Sequence, residues 1–176
     1  MFFIEKTPEF DKCLIKLNDL KAKAKILFRI QKLENDEHFG DCKPVGDGIQ
    51  EMRINFAKGY RVYFKEKDGK IIVLLITGDK STQQKEIKIA KDIWKKINSL
   101  KMETSKFEIA DYLDSKEMIA EYLNTVMEEG NDTDIITAIG HIAKAIGMTK
   151  IAEETGLSRP SLYKALSDGA KPQFST

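Results

Sequence analysis

Histidine and cysteine are scarce in this chain of 176 residues, with two of each, and there is one tryptophan. Cys13 and Cys42 have no metal-ligand spacing and no secretory context, so buried reduced thiols are expected rather than a disulfide or a nucleophile. His38 falls in a loop-like stretch and His141 within a helical one, and neither has an acid-base partner at recognisable spacing. Acid-base chemistry here must draw on Lys, Arg, Tyr or carboxylates. No run of about 18 apolar residues is available to cross a bilayer. The opening Met1-Phe2-Phe3-Ile4 meets Glu5 and Lys6 at once, unlike a secretory signal, and a cytoplasmic location without membrane contact is expected. Walker loops and dinucleotide fingerprints are missing too, so neither a cofactor nor a metal is expected.

Charge is present in abundance and unevenly placed. The net charge is +1. Residues 1–101 hold 22 basic and 15 acidic side chains, a balance of +7, while residues 102–176 hold 7 and 13, a balance of −6. A basic module attracts polyanions such as nucleic acid, and an acidic module on the same chain can take their place. A domain boundary after Lys101 is therefore expected, with domains at 1–101 and 102–176.

The hydrophobic pattern predicts an α+β first domain. Phe2 to Lys6 is a short strand, and Thr7-Pro8-Glu9 supplies a hydroxyl N-cap, a proline at the first helical position and an acid in the first turn. Phe10, Cys13, Leu14 and Leu17 mark one helix; Ala24, Leu27, Phe28 and Leu33 mark a second, giving a helical hairpin. A polar stretch at 39–48 reads as loop. Three alternating runs follow, Ile49–Phe56, Tyr60–Lys67 and Lys70–Gly78, joined by Ala57-Lys58-Gly59 and Asp68-Gly69, and predict an antiparallel meander. The third run, apolar on both faces, predicts a central strand. A helix capped by Ser81 or Thr82 carries Ile87, Ala90, Ile93, Trp94 and Ile97. From Met102 onward the spacing predicts an all-α domain of short acidic helices.

Closing the first hairpin at Phe56 and Tyr60 sets Asn55 beside Arg61 and Arg53 beside Tyr63, with Arg53, Arg61 and Tyr63 on one face. Two guanidiniums and a phenol there could clamp a phosphate; a solvated face paired with nearby carboxylates is the alternative, and these residues alone favour it. The turn from Gly78 to Lys85 offers helix N-terminal amides with Lys80 and Lys85, an anion site or an ordinary connection. In the second half Ile151-Ala152, then Thr155-Gly156-Leu157, then Ser158-Arg159-Pro160-Ser161-Leu162-Tyr163-Lys164 has the form of a helix-turn-helix, whose second helix enters the major groove. Ser158, Arg159, Ser161, Tyr163 and Lys164 are its candidate DNA contacts; a hairpin used only for packing is the alternative.

Glu51-Met52-Arg53-Ile54, Gly59-Tyr60-Arg61-Val62-Tyr63-Phe64 and Leu74-Leu75-Ile76-Thr77-Gly78-Asp79-Lys80-Ser81-Thr82-Gln83-Gln84 resemble the HigB-like addiction module killer branch of the RelE/ParE superfamily. Asp111-Tyr112-Leu113-Asp114-Ser115, Met118-Ile119-Ala120-Glu121-Tyr122-Leu123 and Gly156-Leu157-Ser158-Arg159 resemble the matching HigA-like antidote. The resemblance implies a type II toxin-antitoxin fusion. The first half would be a metal-independent endoribonuclease cutting mRNA on the ribosome, with Arg53, Arg61, Tyr63 and Lys80 catalytic and Lys58, Gln84 and Lys85 holding RNA. The second half would neutralise the first, within or between chains, bind operator DNA and support a homodimer. It also implies a further antidote helix beyond Thr176. Two other outcomes stay open: a gyrase-inhibiting ParE-like toxin, and a DNA-binding regulator whose toxin-like half is inactive.

Overall fold

A computed structural model of the chain describes residues 3–35, 39–57, 59–78 and 83–166. It divides into two compact units, Met1–Glu108 and Ile109–Thr176.

The first unit opens with β1 (Phe3–Lys6) and α1 (Pro8–Ile15). The Thr7 side chain accepts from the Phe10 amide at 3.1 Å and donates to the Leu74 carbonyl at 2.7 Å, so the residue that caps α1 also ties it to the sheet. Asn18-Asp19 interrupts the helical hairpin, and Asp19 accepts from the Ala22 amide as α2 (Leu20–Asn35) begins. Next come β2 (Cys42–Pro44), β3 (Ile49–Ile54), β4 (Tyr60–Lys67), β5 (Lys70–Thr77), α3 (Gln83–Asn98) and β6 (Ser105–Lys106). The proposed caps Ser81 and Thr82 lie outside the described residues.

The strand order is β2-β3-β4-β5-β1-β6. The sheet is mixed rather than purely antiparallel, because β1 runs parallel to β5, with Ile4 opposite Ile71 and Lys6 opposite Val73. β5 is central, as its two-sided apolar run predicts, and Ile71 to Ile76 are all buried. The stretch at 39–48 contains β2, paired through Lys43 and Glu51 at the sheet's edge, where only loop is expected from its polar sequence. Asp68 and Gly69 both have positive φ, 53° and 74°, which is the two-residue hairpin their sequence calls for.

The register of the β3–β4 hairpin differs from expectation by two residues. Ile54 faces Tyr60, Arg53 faces Arg61 and Glu51 faces Tyr63. Asn55 and Phe56 leave the ladder, with the Gly59 amide donating to the Phe56 carbonyl at 2.8 Å and Ala57 and Gly59 at φ 50° and 80°. The turn thus consumes two more residues than a three-residue loop. Since the side-chain period is two, a slip of two leaves each residue on its face. The division between units also falls later than the charge shift at Lys101: β6 pairs with β1, Glu5 opposite Lys106, so the chain through Glu108 belongs to the first unit.

The second unit begins with a 3-10 turn at Ile109–Tyr112, then α4 (Lys116–Glu129), α5 (Asp132–Ile146), α6 (Met148–Thr155) and α7 (Arg159–Ala165). Met118, Tyr122 and Val126 repeat on α4 and are fully buried. A capping box starts α5: the Asn131 side chain accepts from the Asp134 amide at 3.0 Å while Asp134 accepts from the Asn131 amide at 2.9 Å. No single helix among the described residues is long and apolar enough to cross a membrane.

Candidate active site and helix-turn-helix

In the first unit β3, β4 and β5 bring Glu51, Arg53, Arg61, Tyr63 and Thr77 onto one sheet face, to which the first turns of α3 add Gln83 and Glu86. Glu51 lies at the centre and is fully buried. Its Oε1 accepts from Arg53 Nε at 3.0 Å and stands 3.7 Å from Arg61 Nε. Its Oε2 accepts from Gln83 Nε2 at 2.7 Å and from the Tyr63 hydroxyl at 3.1 Å. Glu86 Oε2 accepts from Thr77 Oγ1 at 2.7 Å, lies 3.3 Å from the Tyr63 hydroxyl and 3.8 Å from Arg61 Nη1.

Two arginines and two glutamates cancel in formal charge, which is what allows such a cluster to be buried. Burial alone would raise the Glu51 carboxyl, but the hydrogen bonds from Gln83, Arg53 and Tyr63 outweigh it and hold the group below its ordinary range. Burial, with two carboxylates close by, pushes the Tyr63 hydroxyl far up, so it is a donor at any physiological pH. The two guanidiniums differ in access: the Arg53 side chain is 43% exposed and Arg61 12%. Between them opens a shallow recess of about 40 Å³, lined also by Asn55, Gly59 and Tyr60.

The sheet face thus assembles Arg53, Arg61 and Tyr63 together, with Tyr63 wholly inside it. Gln84 and Lys85 are exposed on the first turn of α3. Lys58 and Lys80 lie outside the described residues, as does His38. Glu51, Thr77, Gln83 and Glu86 were missed by reasoning from sequence. Glu51 carried a signal, because it stands two residues before Arg53 and so shares its face; Glu86 did not, since only the docking of α3 brings it near. His141 in the second unit is a structural partner, its Nδ1 3.0 Å from the hydroxyl of buried Tyr122. Burial pushes the Cys42 thiol up to about 11, and it donates to the Phe39 carbonyl at 2.9 Å, so it is protonated at neutral pH.

In the second unit α6 and α7, the segment in which the sequence predicts a helix-turn-helix, are joined through a left-handed Gly156 at φ 70°. Ser158 caps α7, its side chain accepting from the Ser161 amide at 3.3 Å, and its Oγ lies 2.8 Å from that of Ser161. Leu162 faces inward with Ala143 and Met148. Ser158, Arg159, Ser161, Tyr163 and Lys164 are all exposed.

Comparisons with known proteins fall on the two parts separately. Residues 15–95 match the family described as "Phage derived protein Gp49-like", and residues 103–176 match "Probable addiction module antidote protein". A protein of Haemophilus influenzae described as uncharacterized is 53% identical over 88 residues, half of this chain and 88% of the relative. A second from the same strain, described in the same way, is 46% identical over 70 residues, covering 40% of this chain and 72% of the relative. No solved structure matches the chain. The chain carries the two parts of a toxin-antitoxin module, a Gp49-like domain and an addiction module antidote domain.

Proposed function

We propose that the first unit is a metal-independent endoribonuclease acting on mRNA at the ribosome, and that the second neutralises it and binds operator DNA. The observation that carries the first part is the convergence of Arg53 and Arg61 over a recess on one sheet face. In the reaction the 2′-oxygen of a nucleotide attacks the adjoining phosphorus, the bond to the 5′-oxygen of the next nucleotide breaks, and a proton passes from the 2′-hydroxyl to that leaving oxygen. Negative charge accumulates on the phosphorane oxygens at mid-reaction, and planar guanidinium forks match them in sign and geometry. Arg61 and Arg53 take that role. Lys80 assists proton transfer, and Lys58, Gln84 and Lys85 hold the backbone. Tyr63, being buried, acts through Glu51 rather than on RNA. With no histidine among the described residues of the site the unaided rate is low, and alignment of mRNA on the ribosome supplies much of the acceleration.

The antidote role rests on the family match and on opposite charge: counted by unit, the first holds 23 basic and 17 acidic residues and the second 6 and 11. The exposed polar face of α7 supports DNA binding and favours a second reading, a DNA-binding regulator whose first unit is inactive. Inducible expression in bacteria of residues 1–108, of the same piece with Arg61→Ala, and of the whole chain separates the two. Growth arrest with ribosome-phased mRNA 5′ ends from the short form alone, lost on R61A, is the expected result. Intact mRNA and normal growth from all three forms select the regulator, and arrest with intact mRNA but lost supercoiling selects gyrase as target.

A further inference from the structure

The segment after α3 goes with one partner by sequence and with the other by contact. The Gp49-like match ends at residue 95 and the antidote match begins at 103, yet the first compact unit runs to Glu108. Residues 103–108 are therefore antidote sequence folded into the sheet of the first unit. Leu100, 93% exposed and at φ 57°, turns the chain back after α3, and Met102 packs against the cluster that holds Leu74, Ala90 and Ile93. β6 then pairs antiparallel with β1, Lys106 opposite Glu5 and Ser105 opposite Lys6. The Phe107 amide donates to the Ile4 carbonyl at 3.0 Å, and the Thr104 hydroxyl to Glu5 Oε2 at 2.6 Å. Phe107 is buried, its ring edge-on to that of fully buried Phe10 with 5.8 Å between centroids.

We propose that residues 103–108 are the antidote's grip on the toxin, a strand that an antidote adds to the edge of β1 and seats with Phe107 on Phe10. The proposal rests on the toxin-antidote reading above. Without β6 the edge of β1 is the end of the sheet, a row of backbone groups able to pair with an added strand. Main-chain bonds give such a strand its affinity, and a side chain seated beside them gives it specificity. An antidote made as a separate chain would use the same edge. In the order β2-β3-β4-β5-β1-β6 the grip lies at the end of the sheet away from the β3–β4 recess of Arg53 and Arg61. It anchors the antidote and leaves the recess uncovered, so blocking the site falls to other antidote residues. Ladder bonds and a buried ring also resist salt, unlike attraction between oppositely charged surfaces.

The test keeps the full chain and inserts a site-specific protease sequence between Leu100 and Lys101, so that after cleavage residues 101–176 are held by non-covalent contacts alone. At about 0.5 M NaCl, where charge attraction is screened, the cut wild type is expected to elute as one complex in gel filtration. Phe107→Ala, cut in the same way, is expected to weaken the complex at least about a hundredfold, while Phe107→Leu, which keeps the apolar bulk, stays within about tenfold. Should Phe107→Ala fail to fold, Thr104→Val, which removes the bond to Glu5, is expected to weaken it about fivefold. Separation of the cut wild type in salt, or cut variants that hold as tightly as wild type, overturns the proposal. The toxin reading falls on a different result: if the cut halves hold together through Phe107 while residues 1–108 neither arrest growth nor cut mRNA, the strand contact stands and the toxin assignment does not.

Discussion

A single hydroxyl proton, that of Tyr63, faces two carboxylate oxygens at 3.1 and 3.3 Å. Tyr63→Phe removes the donor and leaves those oxygens buried with fewer partners, so a loss of about 1–3 kcal/mol in unfolding free energy is expected, seen as a lower urea midpoint at unchanged slope. Glu51 gives a second expectation, in pH. Its carboxyl is held below the ordinary value of 4.5 in the fold, so the ionised form is the stabilising one. That contribution is complete above about pH 4.5 and fades as pH falls through the depressed folded value. Glu51→Gln should therefore flatten the acid limb of stability below pH 4.5; equal slopes for wild type and variant in urea titrations from pH 3 to pH 7 would refute the assignment. The alternation that unites Arg53, Arg61 and Tyr63 is written in the sequence, and by the same rule it includes Glu51. Of the two open readings, the pairing of the arginines with carboxylates is seen directly, Arg53 Nε donating to Glu51 at 3.0 Å.

Elements with a strong local signal match their sequence closely. Thr7-Pro8 starts α1, and the two-sided apolar run of β5 sits mid-sheet. What local patterns do not carry is pairing between distant segments. The four residues of β1 find β5 some seventy positions away, and β6 finds β1 across the whole unit, so neither the parallel pair nor the pairing of β6 was visible before folding. The β3–β4 register failed for a narrower reason, the two residues that the turn takes from the ladder. Two glycines of the second unit separate backbone strain from steric exclusion. At Gly156, φ is 70° and a Cβ would meet nothing within 4 Å, so Gly156→Ala should cost only the left-handed penalty, about 1–2 kcal/mol. Gly130 has an ordinary φ of −95°, but a Cβ there would lie 2.6 Å from the Val126 carbonyl oxygen and 2.9 Å from Asp134 Cβ. Gly130→Ala should therefore be the costlier change, opening the capping box, and thermal melts of the two variants should rank in that order.

For the molecule as a whole, net charges of opposite sign in the two units bear on how the proposed neutralisation would work. If the acidic unit opposes the basic one largely by charge, the two made as separate polypeptides should associate with an affinity that falls steeply with salt, because screening beyond about 10 Å sets in near 0.1 M. A tether changes the arithmetic. Joining partners raises their mutual concentration to roughly millimolar where the linker spans the sites, which is above the dissociation constant of even a weak pair. Calorimetric titration of residues 1–108 with residues 109–176 should thus show at least a tenfold weakening between 0.05 and 0.5 M NaCl, while the intact chain stays inactive toward ribosome-bound mRNA across the same range. A salt-independent affinity would assign neutralisation to apolar contacts instead, and an intact chain that becomes active at high salt would mean that the linker does not hold the antidote within reach.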